Sequence, residues 1–287
     1  MANLNMITEA FRRGFSLTGA HWKGILREFL KVNALAFAFV AVSVIAGFLV
    51  ITAGAGAGEP IAAVAAGAFA MLVFVLVSAA ASSVSYNIID EEISGARHEV
   101  LGDFGKNLLP VAAYTTILWL IIGIFVFLPS LVARVLGETS GNVLASIALS
   151  LASQFYYYAA LFVIGFVLQF ALFELVVARA AVVRSIENSA GIVKRTLLET
   201  FLFHIIGGIF STIVQLVLLI PAAILILVPL LAGIWIALAA GNAALNIVLI
   251  AAGTVYLFAV LVAYISIKLT ITLPINYHYW KMAREIR

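Results

Sequence analysis

Three ionisable side chains interrupt the apolar parts of the sequence and are the best candidates for proton or charge exchange. Glu174, His204 and Lys268 offer a carboxylate, an imidazole and an ammonium group, and each stands near one end of a long apolar run. Because a charge inside a membrane is costly, such groups normally face a bundle interior or an aqueous cavity. The pattern predicts one polar cluster of these three residues, with Arg179 as a further partner for Glu174.

No other arrangement of residues indicates catalysis or metal binding. The chain has no cysteine, which excludes thiolate chemistry and disulfides. Its histidines stand singly, and the sequence has no HExxH zinc motif, no Walker-type phosphate loop and no buried carboxylate pair for acid-base work. We therefore predict a protein that is not an enzyme and that uses no cofactor and no metal.

The composition of the chain is that of a membrane protein. Hydrophobic residues make up 65% of the 287 residues and charged residues only 10%, a balance that water-soluble domains do not show. A membrane-spanning helix needs roughly 20 mostly apolar residues. The runs that satisfy this length are Val32 to Ala53, Ile61 to Ile89, Leu108 to Leu136, Leu144 to Phe173, Phe201 to Trp235 and Ala243 to Leu273. The sequence thus predicts an all-α membrane protein, a single domain over residues 1–287 with six transmembrane helices.

The cations are distributed unevenly between the segments that separate these runs. All lysines and arginines except Arg134 and Lys268 lie before the first run, in alternate loops or after the last run, and Lys268 lies near the end of the last run. Because cytoplasmic loops carry an excess of Lys and Arg, both termini are predicted to be cytoplasmic in a cell-membrane protein. Tyr277, Tyr279 and Trp280 are predicted to form an aromatic belt at the same membrane surface.

A basic polar segment, Glu174 to Glu199, separates the fourth run from the fifth. Its apolar residues recur at helical spacing: Ile186, Ala190, Val193 and Leu197. Its charged residues lie between them: Arg184, Glu187, Lys194 and Arg195. This pattern predicts an amphipathic elbow helix, capped by Ser185 or Asn188, with its apolar face at the headgroup boundary.

The N-terminal segment shows a similar pattern and suggests an internal repeat. Asn5 to Leu17 has apolar residues every four positions beside Arg12 and Arg13, which predicts a second surface helix. When residues 10–28 are shifted by 171 positions, five of them coincide with identical residues of the elbow: Ala10, Arg13, Lys23, Leu26 and Glu28. We predict three parallel units, 1–89, 90–176 and 177–287, each a surface segment followed by a helical hairpin.

One stretch of the elbow carries a family resemblance. The residues Ala178-Arg-Ala-Ala-Val-Val-Arg-Ser185, followed by Lys194-Arg195, resemble the segment after span four in the glycerophosphodiester phosphodiesterase membrane-domain family and its stand-alone six-span relatives. The resemblance implies the six-span plan over the whole chain. None of the histidines is followed by the Arg-Gly of that family's catalytic domain, so the resemblance implies no catalytic residue.

Two functions are compatible with these features. The first is a membrane scaffold whose basic residues bind anionic lipid or a membrane or cytoplasmic protein partner, and its binding residues are Arg12, Arg13, Arg184, Lys194 and Arg195. The alternative is a small-molecule or lipid transporter with a cavity near Glu174 and His204. Neither function involves a nucleic acid, and the sequence specifies no oligomeric state.

Overall fold

All regular structure in the described part of the chain is helical. The computed structural model describes residues 4–56, 83–95, 100–139, 141–240 and 243–286, together with residues 73, 76, 77, 80 and 81. Its helices are α1 (Leu4–Gly56), α2 (83–94), α3 (Val100–Ile122), α4 (Leu128–Thr139), α5 (Val143–Leu168), α6 (Ala171–Val176), α7 (Val182–Arg195), α8 (Leu197–Ala240) and α9 (Ala243–Glu285). A π-helical turn, Gly123–Phe127, connects α3 to α4.

Within the described residues, four helical segments are long and apolar enough to cross a membrane, which indicates a membrane protein. They are Gly105–Thr139, Val143–Val176, Leu197–Gly233 and Ala252–Glu285. These segments overlap the third to sixth apolar runs of the sequence, and the last one extends to Glu285, beyond the predicted end at Leu273. Many of their large apolar side chains are exposed, among them Leu131, Val163 and Leu216. Exposed apolar surface of this kind is what lipid-facing helices require.

The first two predicted spans are described only in part by the structure. Val32 to Ala53 lies within α1, but the side chains beyond residue 42 are outside the described residues. Most of Ile61 to Ile89 is also outside them. The six-span count and the three repeat units therefore stay predictions.

The N-terminal surface helix expected over Asn5 to Leu17 is not a separate element. It belongs to α1, which continues without a break into the first predicted span. Met6, Ile7 and Ala10 are buried in the main core instead of facing a membrane surface. The physical reason is a packing partner that lies far away in the sequence, helix α9.

Helices α1 and α9 run antiparallel along each other, and their backbones come close together at Gly14. A Cβ atom added there would lie 2.5 Å from Ile275 Cγ1 and 2.8 Å from the backbone N and Cα of Ile275. Nearby, Thr18 Oγ1 donates a hydrogen bond of 3.1 Å to the carbonyl oxygen of Thr270. The absence of a side chain at Gly14 thus permits the helix backbones to meet.

The aromatic residues predicted to form a surface belt are part of the core. Tyr277, Tyr279 and Trp280 are all at most 3% exposed. The ring of Tyr279 stacks on Phe203 with centroids 3.8 Å apart, and Trp280 stacks on Phe173 at 5.2 Å. The belt prediction was wrong for these three residues because α1, α6 and α8 cover the end of α9.

Polar contacts attach α2 to the same end of the molecule. Tyr277 Oη donates to Asp90 Oδ1 at 2.6 Å, and His21 Nδ1 lies 2.8 Å from Glu92 Oε1. The first part of α1, the end of α2, helix α7 and the end of α9 are thereby gathered together. This end of the molecule carries most of the cations predicted to be cytoplasmic, whereas Arg134 pairs with Glu138 near the α4–α5 turn.

Candidate functional site

The centre of the candidate site is Glu174, a carboxylate in α6 that is 0% exposed. Its Oε1 atom accepts a hydrogen bond from Trp280 Nε1 at 3.0 Å and lies 3.1 Å from Arg284 Nε. Its Oε2 atom accepts a bond of 3.0 Å from Asn188 Nδ2. Because a buried charge is costly unless it is paired, these three donors explain how the carboxylate is accommodated.

Arg284 extends from Glu174 toward the surface at the end of α9. Its side chain is 49% exposed, and its guanidinium carbon lies 5.5 Å from the centre of the Trp280 ring. The carboxylate therefore holds one edge of the guanidinium while the indole covers one face. Both contacts restrict the orientation of a side chain that would otherwise have many rotamers.

These residues border a groove between α7 and the end of α9. The groove has a volume of about 650 Å³. Its lining combines the buried Glu174 and Ile192 with residues that are at least partly exposed: Glu187, Asn188, Gly191, Lys194, Arg195 and Arg284. Counting both carboxylates against the three cations, the groove is net positive.

Helix α7 is amphipathic, but its protein-facing side is more polar than the sequence suggested. The buried residues are Ser185, Ser189, Ile192 and Val193. Ser189 Oγ donates to the carbonyl oxygen of Val167 at 2.7 Å and accepts from the N–H of Phe170 at 3.2 Å. It thus satisfies backbone groups that the end of α5 leaves unpaired.

Two details of the predicted elbow helix were wrong. Of its expected apolar face, Val193 is buried against the protein, and Leu197 belongs to α8. The helix begins at Val182 without a side-chain cap, so Ser185 and Asn188 lie within it. Ser185 Oγ instead donates to the carbonyl oxygen of Val182 at 2.7 Å.

The predicted binding cations divide into two groups. Arg12 and Arg13 share the carboxylate of Glu9, with nitrogen–oxygen distances of 2.6 and 2.7 Å. Hydrogen bonds from Arg12 and then Arg13 hold the pKa of Glu9 down to about 2. In the elbow, by contrast, the exposed cations make no ion pair with any described residue: Arg184, Lys194 and Arg195. Their charges are therefore available to a ligand.

The cluster expected from Glu174, His204 and Lys268 does not form around the carboxylate. His204 Nδ1 lies 3.1 Å from Gln169 Oε1, and its ring meets those of Phe162 and Phe166 edge-on. Lys268 is partly buried in α9 and makes no ion pair within the described ranges. Position along α9 explains the difference for Lys268, because it lies 12 residues before Trp280, about 18 Å along the helix axis.

Sequence reasoning missed Asn188, Trp280 and Arg284 as the partners of Glu174. Trp280 is separated from the carboxylate by 106 positions, so no local spacing connects the two. Arg284 stood out only as one of several basic residues near the end of the chain. The single usable signal was that a lone Glu beside an apolar run needs donors.

A second, smaller groove of about 360 Å³ lies where α1, α2 and α9 meet. Its polar lining comprises Arg12, Arg13, Ser16, His21, Glu92 and His278. Its two arginines are paired with Glu9 and its His21 with Glu92. Across the described residues, no three histidine or carboxylate side chains come together as metal ligands would.

Comparison with known proteins identifies no relative for this arrangement. No protein-family model matches the chain, and no curated protein or solved structure matches it either. The candidate site must therefore be interpreted from its own geometry and charge.

Proposed function

We propose that this is a non-enzymatic membrane protein whose elbow helix α7 binds anionic lipid headgroups at the cytoplasmic surface of the cell membrane. One observation carries the proposal: Arg184, Lys194 and Arg195 are exposed and have no ion-pair partner among the described residues. A cation near an anionic membrane contributes about 1 kcal/mol of attraction. Anionic phosphates are the ligands that three such charges favour.

The position of these cations relative to the apolar surface supports the same proposal. Helix α8 starts at Leu197, directly after α7, and its Leu197 and Leu198 are 58% and 53% exposed. Lys194 and Arg195 thus stand where an exposed apolar helix begins. Cations at the end of a spanning helix lie at headgroup depth, which is where lipid phosphates are found.

The lipid preference of the full chain tests this proposal. The protein is extracted from mixed phosphatidylglycerol and phosphatidylcholine vesicles, and its retained lipids are counted by native mass spectrometry. Replacing two cations, in Lys194→Gln/Arg195→Gln, removes about 2 kcal/mol of attraction, equivalent to roughly 30-fold in affinity. We expect this variant to lose most of its preference for phosphatidylglycerol.

The matched control is Arg12→Gln/Arg13→Gln, which removes the same number of charges. Because both arginines are already paired with Glu9, we expect this variant to keep most of the lipid preference. Equal retention of phosphatidylglycerol by the wild type and Lys194→Gln/Arg195→Gln would overturn the proposal. High salt should weaken the preference, because it screens charges at the surface.

The proposed orientation has its own test. A phosphatase reporter fused to this protein is expected to be active only when the fusion point lies outside the cytoplasm. A fusion after Arg195 should therefore be silent, and one at Gly58 should be active. The opposite pattern would place α7 on the other side of the membrane.

A further inference from the structure

The groove between α7 and α9 has the chemistry of a specific anion site and not only of a charged surface. Lys194 and Arg195 border it from the end of α7, and Arg284 borders it from α9. Cations from two helices that are far apart in sequence thus converge on one concave volume of about 650 Å³. A flat basic surface would offer charge without this convergence.

Glu174 and Trp280 hold the guanidinium of Arg284 in an orientation in which it can bind an anion. Glu174 fixes its Nε atom at 3.1 Å, and the Trp280 ring lies against its guanidinium. Among the described residues, neither terminal Nη atom has a hydrogen-bond partner. A planar guanidinium with two free amino groups matches two oxygens of a phosphate, and its restricted motion lowers the entropy lost on binding.

The buried carboxylate does not compete with such a ligand. Glu174 Oε1 accepts a hydrogen bond from Trp280 and Oε2 accepts one from Asn188, while Arg284 is the ion-pair partner. The charge of Glu174 is thereby compensated by Arg284, and the net positive charge of the groove comes from Lys194 and Arg195. The remaining negative charge of the groove belongs to Glu187, which is exposed and separated from Lys194 by two helical turns.

From this geometry we infer that the groove binds the phosphate of a phospholipid headgroup, with Arg284 as a two-pronged donor and Lys194 and Arg195 as neighbouring charges. The inference rests on the proposed lipid-binding function and assigns it a site. Glu174 is a positioning residue in this site, because it acts through Arg284. A soluble phosphate ester has the same chemistry, so the experiment must separate the two sources.

The absence of cysteine permits a direct test of groove occupancy. Gly191 lines the groove, and a Cβ atom added there meets nothing within 4 Å, so Gly191→Cys introduces a thiol without a clash. Gly19→Cys is the matched control, because Gly19 is exposed on α1, outside the groove, and is equally unobstructed. The rate of modification by an uncharged maleimide is measured for the full chain in lipid nanodiscs.

We expect Gly191→Cys to react several-fold more slowly in nanodiscs that contain phosphatidylglycerol than in pure phosphatidylcholine. Gly19→Cys should show only the general effect of an anionic surface on thiols. Adding Lys194→Gln and Arg195→Gln to Gly191→Cys should remove most of the protection, since each cation contributes about fivefold in affinity. Both replaced side chains are exposed, and an unchanged thermal unfolding curve confirms that the variant is folded.

Two further measurements identify the source of the phosphate and separate the proposal of lipid binding by α7 from the proposal of a phosphate site in the groove. Protection by sn-glycerol 3-phosphate in pure phosphatidylcholine would show that a soluble ester occupies the groove and would overturn the lipid source. If phosphatidylglycerol is retained in mass spectrometry but the thiol at position 191 is never protected, the groove is overturned and lipid binding by α7 stands. Failure of both measurements would overturn both.

Discussion

The contact between Gly14 and Ile275 predicts that one methyl group will separate two of the longest helices. In Gly14→Ala, the new Cβ would lie 2.8 Å from backbone atoms of Ile275, which cannot rotate away as a side chain can. Ordinary carbon contacts are about 3.5–4.0 Å, so α1 and α9 would have to move apart by about 1 Å. The hydrogen bond between Thr18 and Thr270, one turn along α1, would be stretched by the same movement.

The expected magnitude follows from two opposing effects. Overpacking of this kind costs about 1–3 kcal/mol, whereas replacing glycine by alanine within a helix gains about 0.5–1 kcal/mol. Gly19→Ala isolates the second effect, because Gly19 is in the same helix and a Cβ there meets nothing within 4 Å. We expect Gly14→Ala to be less stable than Gly19→Ala by about 1–3 kcal/mol.

The free energy of unfolding is measured on the full chain in neutral detergent micelles, with increasing dodecyl sulfate and tryptophan fluorescence as the signal. The comparison of the two alanine variants cancels their equal gain in helix propensity. If Gly14→Ala were as stable as Gly19→Ala, the two helices would not be in backbone contact at this position. The packing of the N-terminal part of α1 against α9 would then be refuted.

Three further predictions concern the polar contacts. Glu174→Gln should lower the free energy of unfolding by about 1–3 kcal/mol in the same detergent assay, because the ion pair with Arg284 is lost and a glutamine amide offers one acceptor oxygen where the carboxylate offers two. Ser189→Ala should accelerate hydrogen exchange at the buried N–H of residue 170, which loses its acceptor. The pKa of Glu9 is depressed, so its stabilising charge should be present above about pH 4.5 and lost only as the pH falls through about 2, as a carbon-detected NMR titration would show.

Each of these three predictions has a clear contrary result. Unchanged stability in Glu174→Gln would mean that the buried carboxylate is not needed to hold the end of α9. Equal exchange rates at residue 170 in Ser189→Ala and wild type would remove the proposed connection between α7 and the end of α5. If Glu9 titrated near pH 4.5 in the wild type, the arginines would not lower its pKa. The same conclusion would follow if the titration of Glu9 were unchanged in Arg12→Gln/Arg13→Gln.

The class of the protein and much of its helical plan follow from local properties of the amino-acid sequence. The apolar runs that begin at Leu108, Leu144, Phe201 and Ala243 all correspond to segments able to cross a membrane. Run length and hydrophobicity are local properties, and a membrane requires each spanning segment to satisfy its own backbone hydrogen bonds. Such features can therefore be read from the sequence without knowledge of the packing.

Tertiary structure decided which polar and aromatic groups meet. Trp280 looked like a surface residue, and Glu174 looked like a partner for His204, yet the two are joined by a hydrogen bond of 3.0 Å. Arg12 and Lys194 were likewise equivalent candidates, although Arg12 shares the carboxylate of Glu9 with Arg13 and no described residue pairs with Lys194. These outcomes depend on the rotation and depth of each helix against its neighbours, which are set by side-chain packing over the whole chain and not by local spacing.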